Sequence, residues 1–419
     1  MNPKESLVRS ARGGGPLDQM RMRVANTGLI LRHLRTHGGR SRARLAAETG
    51  LSRATMSSVI SELVERGLVR EGEVKREGSV GRPGLTVSLA EGRVGAVGVE
   101  IAVDYLALTV VDLTGQVLRE SLDPVAFDTM DPEAVMDLVA TRLRATLDWM
   151  AAQDLITTSI TVSPPGVIDY ATGSVRFSPN LGWRGVPLVP GLRDRLGDSA
   201  PPIHLENDAK LAALAEYVHH APQGVEDLLY LTGDIGVGAG IISNGQLVRG
   251  WKGFSGEVGH LPLDPEGRSC KCGRTGCWET VVGLAALLRL CAPDGGQLLD
   301  TSRPLEERLT VIAQRAAEGD ERTLAALTRI TERLADGLSI LNDVLNPEVI
   351  VLGGYFAFFG DHILEPLAAE LERRRMKDGG SVSLAITRLG MSSAARGGAL
   401  MALDDVFNDP TLVPVRPKG

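Results

Sequence analysis

The chain has 419 residues, 43% of them hydrophobic but only 4% aromatic, enough for two or three domains with cores built on Leu, Val, Ile and Ala. No apolar stretch follows Met1, and the longest apolar run, Val349 to Phe359, is broken by Gly353 and Gly354; this excludes a secretory signal and a span of roughly 20 apolar residues, so a cytoplasmic protein is expected. The net charge of −7 is unevenly placed: residues 1–90 carry 16 Lys and Arg against 8 Asp and Glu, leaving a body near −15, and a basic head on an acidic body suggests a nucleic-acid-binding module.

Residues 1–19, with Gly13-Gly14-Gly15-Pro16, read as a disordered arm. Apolar positions at helical spacing then run through Val24, Leu29, Ile30 and Leu34 to Gly38-Gly39. Ser41 is a good N-cap for a short helix ending at Thr49, Gly50 supplies a tight turn, and Ser52 caps a third helix. In that helix Met56, Val59, Ile60 and Leu63 make an apolar stripe, while Arg53, Thr55, Ser57, Ser58 and Ser61 fall on the other face. Helix, glycine turn, helix is a helix-turn-helix, and the third helix is the candidate reader of a DNA major groove through Arg53, Thr55, Ser57 and Ser58. Leu68–Arg70 and Leu85–Leu89 read as strands flanking a basic wing with Lys75, Arg76 and Arg82. Arg82, between Gly81 and Pro83, is placed to enter a minor groove. Residues 20–90 are thus expected to form a winged helix-turn-helix domain that binds double-stranded DNA.

From Arg93 the character changes. Val94–Ala102 and Tyr105–Asp112 read as strands, with a third strand after the turn at Leu113-Thr114-Gly115. A helix over about 131–150, strands at Thr158–Val162 and Ile203–Glu206, and a helix over 208–219 follow. The order then recurs: strands at Leu228–Thr232 and Ala239–Ser243 with a turn at Asn244-Gly245, helices over about 282–291 and 304–346, and a strand at Val349–Leu352. This pattern supports two mixed α/β lobes arising from an internal duplication, with a cleft inferred between them.

Three of the four cysteines, Cys270, Cys272 and Cys277, lie within eight positions, and His260 lies ten residues upstream. Three thiolates and one imidazole complete a tetrahedral shell for Zn²⁺ and leave no position for a catalytic water, so the metal is expected to be structural. Cys270 and Cys272 are too close in sequence for easy disulfide geometry. Cys291, in the apolar run after Ala285, reads as a core thiol, with replacement of His260 as fourth ligand the lesser alternative.

Several segments together carry a resemblance. Pro179-Asn180-Leu181-Gly182-Trp183, Glu206-Asn207-Asp208-Ala209, the glycines from Gly233 to Gly240, Glu257-Val258-Gly259-His260, the run from Cys270 to Glu279, Leu352-Gly353-Gly354 and Ala395-Arg396-Gly397-Gly398 resemble the ROK family of repressors and sugar kinases. The likeness spans most of residues 93–405, and the winged domain resembles the family's repressor branch. It implies an actin/hexokinase-like, ribonuclease H-like duplicated body: a first lobe of 91–206 plus 391–408, and a second lobe of 207–390 that holds the zinc loop. It also implies a sugar site made by Asn207, Asp208, Glu257, His260 and Glu279, with His260 shared with zinc and Asp208 as the general base of the family's kinases.

Those kinases carry Asp-x-Gly-Gly-Thr at the first phosphate loop. This chain has Glu100-Ile101-Ala102-Val103-Asp104-Tyr105 there, so both glycines are gone and Asp104 adds a negative charge. Asp234 adds another in the second phosphate segment, whose glycines are expected to serve turns of the fold. The expectation is therefore a sugar-responsive DNA-binding regulator without kinase activity: a homodimer or homotetramer, a repressor of carbohydrate-utilisation genes, with structural Zn²⁺ and no membrane partner. The alternative is an ATP-dependent sugar kinase that also binds DNA.

Overall fold

The structure, a computed structural model, describes residues 19–72, 85–293, 295–296, 298–300, 303, 305–377 and 380–416. The arm expected over 1–19 lies outside these residues apart from Gln19, and so does the wing tip with Lys75, Arg76 and Arg82. Chain contacts divide the protein into two units, one holding residues up to Arg93 together with those from Asp404 onward, the other Val94–Leu403.

In the first unit, helix α1 (Gln19–His37) precedes strand β1 (Arg40–Ser41), α2 (Arg42–Thr49), α3 (Arg53–Glu65), β2 (Val69–Gly72) and β3 (Thr86–Leu89). The ends of α2 and α3 are set by local chemistry. The Ser41 hydroxyl accepts from Arg44 N at 3.3 Å, the Ser52 hydroxyl accepts from Thr55 N at 3.1 Å, and Gly50 turns the chain at φ 72°. Met56, Val59, Ile60 and Leu63 are buried with Ile30, Leu31, Leu34 and Leu45, as the helical spacing requires. The strands pair antiparallel in the order β1-β3-β2, which completes the winged helix-turn-helix.

The second unit begins with β4 (Val94–Ile101), β5 (Tyr105–Asp112), β6 (Val117–Pro124), α4 (Pro132–Ala152) and β7 (Ile156–Ser163). A ribbon of β8 (Val167–Asp169), β9 (Ser174–Ser178) and β10 (Trp183–Val186) follows, then α5 (Leu188–Leu196), β11 (Ile203–Leu205) and α6 (Asp208–His220). The next segment contains β12 (Leu228–Gly233), β13 (Val237–Ser243), β14 (Gln246–Leu247), α7 (Glu279–Val282), α8 (Leu284–Cys291), α9 (Leu305–Ala317), α10 (Glu321–Leu345) and β15 (Val349–Gly354). It closes with α11 (Tyr355–Phe358), α12 (Gly360–Arg374), β16 (Ser383–Ile386) and α13 (Ser393–Ala402), after which α14 (Asp404–Asn408) returns to the first unit.

The duplication is legible in strand order. One sheet runs β11-β7-β4-β5-β6 and the other β16-β15-β12-β13-β14. In each, the first three strands pair antiparallel and the last two join parallel to the first. Each sheet is followed by a helix, α6 or α13, and these two pack closely. A Cβ on Gly397 would lie 1.8 Å from Leu211 O, and one on Gly98 would lie 1.7 Å from Ala395 O. Only glycine permits this backbone approach.

Three expectations need correction. The helix expected over 304–346 is two, because Gly319 at φ 79° ends α9 and the Asp320 carboxylate caps α10 by accepting from Thr323 N at 2.8 Å. The helix expected over 282–291 is interrupted at Gly283, where the chain is extended. The segment 404–408, expected in the first lobe, instead packs on α1. Val406 and Phe407 are fully buried there, and a Cβ on Gly28 would lie 2.1 Å from Phe407 O.

Candidate functional site

The N-terminus of α6 positions the first part of the site. Asn207 is the N-cap: its Oδ1 accepts from Lys210 N at 3.1 Å, and its Nδ2 donates to Gly166 O at 3.1 Å and Asp208 Oδ1 at 2.8 Å. Asp208 Oδ1 also accepts from Ala209 N at 2.8 Å. The cap that fixes the helix therefore also fixes Asp208. Both line a cavity of about 120 Å³ together with Glu257, His260 and Glu279, so all five expected sugar-site residues meet in one place. Asn180 joins them: a Cβ on Gly236 would lie 3.0 Å from its Nδ2 and 3.3 Å from Glu279 Oε2.

The loop from Glu257 to Glu279 forms the opposite wall. His260, Cys270, Cys272 and Cys277 place their ligand atoms within 4.8 Å of one another. Cys272 Sγ and Cys277 Sγ are 3.7 Å apart, as are Cys270 Sγ and His260 Nδ1. Tetrahedral zinc–thiolate bonds of about 2.3 Å give ligand–ligand edges of about 3.8 Å, so the donor set fits a four-coordinate metal. The sulfurs are too far apart for a disulfide, and Cys291 is buried in the aliphatic core, away from the cluster. Burial holds the His260 pKa below its usual value, against the pull of Glu279, which favours the neutral ring a metal requires. The Cys270 thiol donates to Glu279 Oε1 at 2.7 Å. A metal held by these four residues would take Cys270 as a thiolate, and Glu279 would then be left to accept from another donor. His260 Nε2 lies 3.8 Å from Glu257 Oε2, on the cavity side.

Three further features were not visible in the sequence. Trp278, fully buried beside the last ligand, donates to Arg333 O at 2.8 Å and anchors the loop on α10. Asp264, also buried, accepts from Glu266 N, Arg268 N and the Thr280 hydroxyl. Lys210, buried on α6, donates to Gly253 O at 2.7 Å and lowers the charge cost of Glu257. A lysine in an alanine-rich helix reads as a surface residue, so only the tertiary structure places it here.

The carboxyls of the cleft are desolvated. Burial pushes Glu257 up to about 7 and Asp234 up to about 6, and raises Asp208 as well. Glu100 is pushed to about 8, by burial and by the nearby Asp208 and Asp234; its oxygens accept from the Tyr105 hydroxyl at 2.6 Å and Ala395 N at 3.3 Å. A raised carboxyl pKa stabilises the fold fully below the unfolded value near 4.5, and this contribution is lost as pH climbs through about 8. Glu100→Gln is expected to melt higher than the wild type, with a gap that widens from pH 5 to about pH 8, where it is on the order of 4 kcal/mol, and then levels off. The glutamine amide can donate to the Tyr105 oxygen, which still donates to Met391 O at 3.0 Å. A pH-independent gap in thermal melts would contradict this assignment.

Neither the glycine-poor segment at 102–104 nor the glycines from Gly233 to Gly240 use left-handed backbone. No residue of 102–104 has positive φ, and neither do Gly233, Gly236, Gly238 and Gly240. Gly236 serves a turn, as expected: Asp234–Gly236 links β12 to β13 and Asp234 N donates to Gly236 O at 2.9 Å. Gly233 and Gly240 serve close approach instead: a Cβ on Gly233 would lie 2.5 Å from the Phe356 ring and one on Gly240 2.3 Å from Ala213 Cβ.

In the winged unit, Arg53 and Ser58 are exposed on α3. Thr55 and Ser57 are already engaged: the Thr55 hydroxyl lies 2.9 Å from Ser52 Oγ, and the Ser57 hydroxyl accepts from Arg42 Nη1 at 3.1 Å. Arg42, unnoticed in the sequence, also pairs with Glu71 at 2.6 Å.

A winged helix-turn-helix joined to a duplicated α/β body with a cysteine-stapled cleft loop defines a DNA-binding regulator built on a sugar-kinase fold. The sequence matches the ROK family over residues 96–405 and the MarR family over residues 26–78. The chain belongs to the ROK family. It is 27% identical over 399 residues to the xylose repressor of Bacillus subtilis (strain 168), covering 94% of this chain and 99% of that one. It is 33% identical over 256 residues to a glucokinase of Halalkalibacterium halodurans, covering 58% of this chain and 75% of that one. A solved ROK family transcriptional regulator, a homolog of the Escherichia coli MLC protein, superposes with a TM-score of 0.73 at 24% identity, covering 93% of this chain and 97% of the other.

Proposed function

We propose that a saccharide binds between the N-terminus of α6 and the metal-stapled loop, and that its binding changes how the winged unit holds an operator. The chain is a sugar-responsive transcriptional repressor. The observation that carries the site is the convergence of Asn207, Asp208, Glu257, His260 and Glu279 on one cavity. A sugar presents many hydroxyls, each both donor and acceptor. Ionised carboxylates accept, protonated ones donate, and Glu257, pushed up to about 7 by burial, supplies both kinds near neutral pH. Analogues lacking a hydroxyl leave buried polar groups unpaired and are rejected.

The metal in this reading is Zn²⁺, held by His260, Cys270, Cys272 and Cys277. With all four positions filled by protein it supplies rigidity rather than a reactive water. It orients His260 so that Nε2 faces the ligand, and Arg53 with Ser58 and the wing reads DNA as part of a homodimer or homotetramer on a near-symmetric operator. Such a regulator works in the cytoplasm, where its DNA lies. A coupling of about 1–3 kcal/mol between sites corresponds to roughly a 5- to 150-fold change in DNA affinity.

Asp208 is also where a kinase would place its base, which keeps phosphoryl transfer as the rival reading. Asp104 and Asp234 beside the cavity oppose a polyphosphate. Thermal shift with xylose, glucose and N-acetylglucosamine, followed by duplex binding with and without the best of them, tests the proposal. We expect a shift in the wild type and at least a tenfold weaker response in Asp208→Asn. Sugar-dependent ADP release from ATP would establish the kinase instead.

A further inference from the structure

Beside the cavity just described lies a larger one of about 370 Å³, three times its volume, and the two share a wall made by Glu100, Asp208, Thr232 and Asp234. We propose that this second compartment receives the second ring or the aglycone of a glycoside, so that the effector is a disaccharide or a comparable glycoside rather than a free monosaccharide. The inference rests on the saccharide reading of the first cavity and extends it.

Three observations support it. Asp208 lines both compartments, so a first ring held at that carboxyl lies next to the second space. The part that belongs to the second space alone includes the apolar and aromatic Leu309, Tyr355 and Phe358, while the part shared with the first carries carboxyls and the Tyr105 phenol. One face for the C–H side of a pyranose and one for its hydroxyls is the division a sugar ring requires. Finally, among the described residues neither lining contains a lysine or an arginine. A phosphate-bearing ligand would meet Glu100, Asp104, Asp208 and Asp234, while the nearest cations, Lys210 and Arg308, lie behind these carboxyls and outside both linings. The shared carboxyl wall is already braced by protein donors: Tyr105 and Ala395 on Glu100, Thr232 on Asp234, and Asn207 and Ala209 on Asp208. A neutral polyol completes that wall without displacing any of them.

Isothermal titration of the full-length protein with matched pairs tests the proposal: xylose and xylobiose, glucose and cellobiose, N-acetylglucosamine and N,N′-diacetylchitobiose. In the pair that binds, the disaccharide is expected to bind at least tenfold tighter than its monosaccharide. Ala357→Trp, at the half-exposed rim of the larger compartment and outside the smaller one, is expected to bring the disaccharide down to the monosaccharide's affinity while leaving the latter within twofold. Phe358→Ala, an exposed and therefore mild truncation, should weaken only the disaccharide, several-fold. Equal or weaker disaccharide binding in every pair overturns the inference, as does an advantage that survives both substitutions. Saturable binding of ATP that competes with the disaccharide overturns it too. If saccharides of neither length bind, the saccharide reading itself has failed, and this inference falls with it.

Discussion

Cys277→Ser is expected to abolish metal binding by the proposed site, lower the melting temperature and abolish the saccharide response together. Cys277 is 1% exposed and is followed by Trp278, which is fully buried and donates to Arg333 O. Losing the ligand therefore frees a segment whose ends are inserted in the core. Structural zinc sites in small peptides contribute about 10–16 kcal/mol of apparent binding energy that appears as folding energy. In this larger body, with its own aliphatic core around Trp278, we expect a loss of several kcal/mol rather than global unfolding. His260 and Glu279 lose their fixed positions, so the saccharide site should lose at least a hundredfold in affinity. Metal content by mass spectrometry, thermal melts and titration read the three effects separately. Cys291→Ser is the control: that thiol packs in the core, so the variant should melt modestly lower but keep its metal and its ligand. Full saccharide affinity in metal-free Cys277→Ser would show that the loop is not held by the metal.

What the sequence disclosed follows the range of the forces involved. The ends of α2 and α3 depend on Ser41, Gly50 and Ser52, each acting within three residues, and so were readable. The cluster of His260, Cys270, Cys272 and Cys277 was readable because three of its members lie within eight positions and thiols are uncommon neighbours. The first cavity was readable only through the resemblance, since Asn207 and Glu279 are far apart in sequence and meet through the packing of α6 against the second sheet. The ribbon β8–β10 was missed because its strands are three to five residues long and carry little periodicity. Thr55 and Ser57 illustrate the converse limit. Their exposed-face spacing marked them as base readers, but spacing does not reveal that one hydroxyl faces a cap and the other a neighbouring guanidinium.

Ending the chain at Leu403 is expected to destroy duplex binding while leaving saccharide binding intact. The last segment belongs physically to the winged unit, although Arg32 and its acceptor Phe407 O lie 375 residues apart in sequence. Val406, Phe407 and Val413 are all fully buried. Each such side chain is worth about 1.5–3 kcal/mol, so their removal costs on the order of 6 kcal/mol. Polar ties go as well: Arg32 to Phe407 O at 2.8 Å, Arg66 to Val413 O at 2.7 Å, and Arg416 N to Glu65 O at 2.9 Å. A winged domain of this size has total stability of about 5–15 kcal/mol, so the loss consumes most of it. Phe407→Ala is the graded version: it opens a cavity against α1 and removes the ring under the Arg35 guanidinium, which sits 4.3 Å from the ring centroid. It should cost about 3–5 kcal/mol and weaken binding in proportion to the fraction of winged units unfolded. The measurement is affinity for a duplex that the wild-type protein selects from a random pool, alongside hydrogen exchange of α1 and α3. Undiminished duplex affinity after truncation would mean that α1 to β3 fold without the C-terminal segment; lost affinity with unchanged exchange protection would instead place residues 404–416 in direct contact with DNA.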